Sequence, residues 1–253
     1  MSRTRVIIVV GLGMLLMSCA SQQKMKNNHK IAESNVQLGI GYLQQGKVEA
    51  ALVKIKKALE VEPDYPEAHS SIALVYQQLG ENKKSLEHYE RALELKPESG
   101  NTHNNYANLL CNTGKPLEAE AHFLQAIKSR GYRTPAQALE NLGSCMMKIP
   151  DLNKAEKYLR QALQINPRLP KALMKMARVS LEKKRYMSGR AYLQRYQEIA
   201  EMNPESLTLG IEIEKKLGDE KTAMDYESQL RRKFPDSTET RQSMEKDFGV
   251  RVK

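Results

Sequence analysis

Histidine and cysteine are the side chains here that could ligate a metal or act as a nucleophile, but their spacing favours neither chemistry. The five histidines form no HExxH motif and have no paired-cysteine partners at zinc-site spacing. The run GIGYLQQG, which begins at Gly39, lacks the GK[ST] ending of a phosphate-binding loop. We therefore predict that the chain is not an enzyme and has no metal site, no cofactor and no small-molecule substrate.

Cys19 lies in a context that does predict chemistry. Arg3 and Arg5 precede a short apolar run that ends at Met17, and this run is shorter than the roughly 20 residues that span a bilayer. The pattern is typical of a secretory signal peptide, here residues 1–18. The segment LMSC, which ends at Cys19, resembles the bacterial lipobox, whose cysteine is acylated. We predict lipidation of Cys19; a plain signal peptide or an uncleaved anchor is the alternative.

The charge of the exported chain favours a protein partner. Without Arg3 and Arg5 it carries 38 basic and 30 acidic residues, a formal charge of +8. Export argues against nucleic acid as the partner. Basic and acidic residues are also interspersed, which is typical of solvated helix faces rather than of one binding stripe.

Residues 19–31 are predicted to be the lipidated cysteine and a flexible tether. The stretch SQQKMKNNHK has one apolar residue in ten and no periodicity. Such a tether would hold the folded part close to the membrane and leave it free to turn.

The rest of the chain is dominated by self-similarity with a period of 34 residues. Leu38-Gly39, Ile72-Ala73 and Tyr106-Ala107 occupy equivalent positions. The period and pattern resemble the tetratricopeptide repeat, a helix-turn-helix unit. The resemblance implies an all-α fold, a right-handed superhelical solenoid of about six repeats. The predicted repeats are 32–65, 66–99, 100–133, 136–169, 170–203 and 204–237, with a C-terminal extension at 238–253.

The repeat positions divide into core and groove. Small residues at positions 8, 20 and 27 let two helices approach closely, and large residues at positions 7, 11 and 24 fill the space between them. Leu38 and Tyr42 are therefore predicted to be interior. The chain has no tryptophan, which the repeat often has at position 4; His69 and His103 stand there, and we interpret them as packing residues.

Repeats of this kind bind partners in a concave groove lined by their first helices. In the first two repeats, Val36, Ile40, Leu43 and Leu74 form a predicted apolar strip in that groove. A peptide could lay an apolar edge there. The alternatives are that an N-terminal segment covers the strip, or that these residues belong to the core.

The third repeat carries a row of asparagines on the same predicted face. Asn104, Asn108 and Asn112 follow Asn101 in the stretch NTHNNYANLLCN. Amide side chains both donate and accept hydrogen bonds, so such a row could bind the backbone of a partner segment. Helix capping by Asn101 and ordinary solvated positions are the alternative.

Cys111 and Cys145 remain after Cys19 is assigned to lipid. They lie on the first helices of adjacent predicted repeats, and an oxidising compartment favours pairing. We predict a disulfide between them; two buried reduced cysteines are the alternative.

An exported chain of this organisation resembles the type IV pilus biogenesis and stability lipoproteins, the pilotins of the pilus secretin. The segments that carry the resemblance are QLGIGYLQQGKVEAALVKIKKALEVEP, NNYANLL, LTLGIEIEKKLGD and YESQLRRKFPDS. The family implies a lipoprotein on the periplasmic face of the outer membrane of a Gram-negative cell. It also implies that the protein binds secretin subunits and promotes their outer-membrane targeting and multimerisation. The alternative is a periplasmic adaptor lipoprotein that presents envelope proteins to a protease or to barrel-assembly machinery.

Overall fold

The protein is all-α, as the repeat pattern predicts. The computed structural model describes the backbone of residues 3–248 and the side chains of residues 23–244, and this part of the chain contains helices and no strand. The helices are α1 (Arg3–Gln44), α2 (Val48–Val61), α3 (Pro66–Gln78), α4 (Asn82–Leu95), α5 (Gly100–Asn112), α6 (Pro116–Lys128), α7 (Pro135–Met146), α8 (Leu152–Ile165), α9 (Pro170–Glu182), α10 (Tyr186–Gln197), α11 (Pro204–Leu217), α12 (Glu220–Lys233) and α13 (Thr238–Phe248).

Small residues lie where the helices come closest. Those at positions 8, 20 and 27 of the repeat lack the side-chain bulk that would hold two helices apart. Gly39 packs against Ile55 of α2, and Gly143 packs against Leu159 of α8. The alanines at these positions in the first four repeats are fully buried: Ala51, Ala58, Ala73, Ala92, Ala107, Ala119, Ala126, Ala155 and Ala162.

In five of the six repeats, the turn after the first helix uses a left-handed residue at position 15. Gly46, Gly80, Gly114 and Gly218 have φ between 72° and 84° there. Glycine adopts this conformation without the steric cost that a β-carbon imposes. In the fifth repeat Lys184 takes the same conformation, with φ of 57°.

The first compact unit ends at Thr113 and comprises α1 to α5. Its core forms where α2 packs against both α1 and α3, and where α4 packs against both α3 and α5. The core residues of its first two repeats are Ala32, Val36, Ala51, Ile55, Ala58, Tyr65, Ala68, Ile72, Val75 and Tyr76.

Histidines at position 4 support this packing. The Nε2 atom of His69 lies 2.9 Å from the carbonyl oxygen of Pro63, and that of His103 lies 2.9 Å from the carbonyl oxygen of Pro97. Each proline closes the preceding repeat, so the same hydrogen bond joins successive repeats twice. These contacts agree with the interpretation of both histidines as packing residues.

The second compact unit begins at Gly114 and comprises α6 to α13. Its largest buried side chains include Phe123, Leu159 and Met176. The carboxylate of Glu156, which is 8% exposed, lies 2.6 Å from Arg185 and 2.7 Å from Lys183. These partners, Arg185 first, outweigh burial and lower the pKa of Glu156 to about 2.

Helix α1 runs through the segment that the sequence predicts to be a flexible tether. Residues 23–31 are helical, and His29 Nδ1 lies 2.9 Å from the carboxylate of Glu62 while its ring meets Tyr65 edge-on. The segment contains no glycine or proline, so the helix of the first repeat can continue into it at low cost per residue. Among the described residues, no helix is both long and apolar enough to cross a membrane.

Candidate partner-binding groove of the first unit

A cavity of about 490 Å³ opens between the first helices of the first three repeats. Helix α3 packs against α1 on one side and α5 on the other, so the three helices form one continuous wall. The cavity is lined by Glu33, Val36, Gln37, Ile40, Tyr65, Pro66, Glu67, Ser70, Ser71, Leu74, Lys96, Ser99, Asn101, Thr102 and Asn105.

Three of the four predicted apolar groove residues line this cavity. Val36 is 4% exposed and belongs to the core, so it forms the floor. Ile40 is 37% exposed and Leu74 is half-buried, so both offer apolar surface to an occupant. Leu43 is half-buried against the core of the unit and does not line the cavity.

The asparagines that line the cavity are only partly those of the predicted row. Asn101 and Asn105 line the cavity, whereas Asn104, Asn108 and Asn112 do not. Asn108 donates through Nδ2 to the carbonyl oxygen of Asn104 at 2.9 Å. The side-chain oxygen of Asn104 is buried and accepts no hydrogen bond from any described residue.

Asn101 does not cap α5, contrary to the alternative interpretation of this residue. Ser99 caps α5, and its hydroxyl accepts a hydrogen bond from the backbone N–H of Thr102. Asn101 is exposed at the mouth of the cavity. Its side chain is therefore available to an occupant.

Carboxylates gather at one end of the cavity. Glu67 pairs with Lys96 at 2.8 Å, and Glu33 projects from α1 beside them. Tyr65 lies between the helices and is 7% exposed. Burial first, and then the negative charges of Glu67, Glu33 and Glu62, raise the pKa of Tyr65 to about 12.

The repeats and their order match known proteins. A TPR repeat model matches residues 41–80, and tetratricopeptide repeat models match residues 66–99, 88–121 and 107–170. The type IV pilus assembly protein PilF of Pseudomonas aeruginosa strain PAO1 is 31% identical over 214 residues, which is 85% of both chains. This chain belongs to the PilF family.

Two solved structures have the PilF-family fold in common with this chain. Pseudomonas aeruginosa PilF is 30% identical with a TM-score of 0.78, and the match covers 87% of this chain and 99% of that one. PilW, described as a widely conserved type IV pilus biogenesis factor, is 31% identical with a TM-score of 0.80. That match covers 85% of this chain and 98% of PilW.

Sequence reasoning on this PilF-family chain misplaced one core residue. Leu38, predicted to be interior, is 50% exposed, whereas its equivalents Ile72 and Tyr106 are 1% and 8% exposed. Helices α2 and α4, which end the preceding repeats, pack against α3 and α5, which carry Ile72 and Tyr106. Within the described residues α1 packs against α2 and α3, and no helix covers the face that carries Leu38 as α2 and α4 cover Ile72 and Tyr106.

Sequence reasoning also missed cavity residues that lie outside the first helices. Tyr65 ends the first repeat, and Lys96 and Ser99 lie in the loop between α4 and α5. The signal that could have found Tyr65 is its place directly before Pro66, which begins α3.

The structure describes the side chains of two of the three cysteines of this PilF-family chain. Cys111 is 6% exposed and Cys145 is 2% exposed, and the disulfide between them stays a prediction. Cys19, the predicted lipidation site, lies outside the residues whose side chains are described. No cluster of three or more potential metal ligands occurs within the described part of the chain.

Proposed function

We propose that this chain is an outer-membrane lipoprotein that binds secretin subunits and promotes their targeting and multimerisation in type IV pilus biogenesis. Membership of the PilF family supports the pilus system as the setting. The single observation that carries the binding role is the cavity of the first unit, with Ile40 and Leu74 open to an occupant.

The apolar residues of the cavity would supply most of the affinity. Burying one leucine or isoleucine side chain fully contributes about 1.5 to 3 kcal/mol. Ile40 and Leu74 keep part of their surface in water, so a client side chain that covers both gains a share of this free energy. Val36 is already buried, so it would shape the floor of the cavity but would bury little further apolar surface on binding.

The amide groups beside the cavity would hold the client main chain. An unmet buried acceptor costs about 1 to 3 kcal/mol, and the side-chain oxygen of Asn104 is such an acceptor within the described structure. Asn104 does not line the cavity, so a main-chain N–H of the client would satisfy this acceptor only if the side chain turned toward the cavity. Asn101 and Asn105 could bind the same segment at the cavity itself.

Lipid on Cys19 would place this groove at the membrane where the secretin assembles. The proposal rests on the LMSC ending of the short apolar run. Several acyl chains on one residue give durable anchoring, whereas a single chain binds only marginally. In a Cys19→Ala variant we expect loss of acyl labelling and of outer-membrane fractionation; normal fractionation with unchanged labelling would contradict the lipid assignment.

The binding role is tested with Ile40→Glu in cells that express the pilus system. We expect secretin multimers to disappear from denaturing gels while the purified variant unfolds near the wild-type temperature. Val53→Glu is the matched control, because Val53 is 65% exposed on α2 and lies outside the cavity. Intact multimers with Ile40→Glu, or capture of a protease or barrel-assembly protein instead of the secretin, would contradict the proposal.

A further inference from the structure

The cavity contains an acidic side chain that forms no ion pair with any described residue. Glu33 is exposed on α1 and forms no ion pair or hydrogen bond with any described residue. Nearby carboxylates are paired: Glu67 with Lys96 at 2.8 Å, and Glu62 with His29 at 2.9 Å. Lys30 lines a shallow hollow beside Glu33 but also forms no ion pair with it.

The negative charge of Glu33 runs against the net charge of the chain. The whole chain carries a net charge of +10, so a surface chosen at random would be basic. At this end of the cavity, Glu33, Glu62 and Glu67 act together on the buried phenol of Tyr65. Because Glu62 and Glu67 are paired with His29 and Lys96, Glu33 is the one of these three carboxylates that forms no ion pair with any described residue.

Glu33 lies on the same face of α1 as the apolar part of the cavity. It precedes Val36 by three residues, Gln37 by four and Ile40 by seven, which are the spacings of one helix face. Seven residues of α-helix span about 10 Å. The groove thus presents a carboxylate about 10 Å from an apolar contact.

We propose that the client segment held in this groove carries a lysine or arginine about 10 Å from its apolar anchor, and that Glu33 binds this basic side chain. The inference rests on the proposed function, since it names the chemistry of the client segment in the same groove. Glu33 adds specificity and salt dependence, whereas Ile40 and Leu74 supply the apolar contact.

The test uses the purified, full-length mature protein and an array of overlapping peptides that cover the secretin subunit of the same organism. We expect the bound peptides to be enriched in segments that combine a basic and an apolar residue, with affinity that falls as salt is added. Glu33→Gln should weaken these complexes about threefold and Glu33→Lys about tenfold. Glu33→Lys should also bind copies of the same peptides in which the basic residue is replaced by glutamate.

Two control variants separate the outcomes. Glu60→Lys carries the same charge change on α2, outside the cavity, and should bind as the wild type does. Ile40→Glu should abolish binding of every peptide. If Ile40→Glu abolishes binding but Glu33→Lys leaves the affinities and the bound set unchanged, the Glu33 inference is wrong and the groove proposal survives. If Ile40→Glu leaves binding intact, the groove proposal itself fails.

Discussion

Gly39 lies directly over Ile55: a β-carbon added to Gly39 would overlap the Cγ1 atom of Ile55. Ile55 is fully buried at the junction of α1 and α2, so it has little room to move. The absence of a side chain at position 8 therefore lets α1 and α2 of the first repeat pack this closely.

Replacing Gly39 tests this close approach. Overpacking a core costs about 1 to 3 kcal/mol, and the higher helix propensity of alanine returns about 1 kcal/mol. We expect Gly39→Ala to lower the free energy of unfolding by up to about 2 kcal/mol in urea titrations. Gly41→Ala is the matched control on the same helix, because its β-carbon would meet no atom within 4 Å. It should leave stability unchanged or raise it, and equal effects of the two variants would contradict the packing explanation.

Replacing Lys184 by glycine is expected to stabilise the protein. It holds the left-handed conformation that glycine holds in the matching turns, and this conformation costs a residue with a β-carbon about 1 to 2 kcal/mol. The greater freedom of glycine in the unfolded chain offsets part of the gain. Lys184→Gly should therefore raise the free energy of unfolding by about 0.5 to 1 kcal/mol. The reverse change, Gly218→Lys, should lower it, and a loss of stability in Lys184→Gly would refute the expectation.

His88 should make the second repeat sensitive to acid. Its Nδ1 atom lies 3.0 Å from Nδ1 of His69, and its ring stacks on Tyr76, over which Lys84 lies. Burial first, and then His69, lower the pKa of His88, while Glu87 opposes them. Above the unfolded pKa of about 6.5 both states are neutral and the histidine has no effect on stability.

As the pH falls below that value, the unfolded chain takes up a proton before the folded chain does, so stability decreases. We expect the wild type to lose more stability between pH 7.5 and pH 5.5 than His88→Gln does. Thermal unfolding of both proteins at several pH values measures the difference. Parallel pH profiles would show that His88 contributes nothing to the acid sensitivity.

Cys111 and Cys145 are expected to be joined in protein isolated from the periplasm. A bridge that closes a loop of about 35 residues stabilises by about 3 to 4 kcal/mol in the chain-entropy model. Titration of thiols in denaturant without reductant should find neither cysteine free, and Cys111→Ser should unfold at a lower denaturant concentration. Two titratable thiols in the wild type would rule the bridge out.

The sequence by itself determined the helices of the repeats. Close approach of two helices requires a small residue at the contact, and the chain repeats such residues every 34 positions, as at Ala58, Ala92 and Ala126. These requirements are local to one helix pair, so they can be read from spacing alone. The same holds for the apolar strip, where Ile40 and Leu74 line the cavity.

Only the tertiary structure decided which helix faces are covered. A periodic pattern gives the angular position of a residue on its helix but not whether a neighbouring helix lies over it. Leu38 is exposed because no described helix covers its face of α1, and Val36 is buried because α1 packs against both α2 and α3. Asn105 rather than Asn104 lines the cavity because one position along a helix turns a side chain by about 100°. Contacts between repeats, which join residues far apart in the chain, therefore set the shape and charge of the groove.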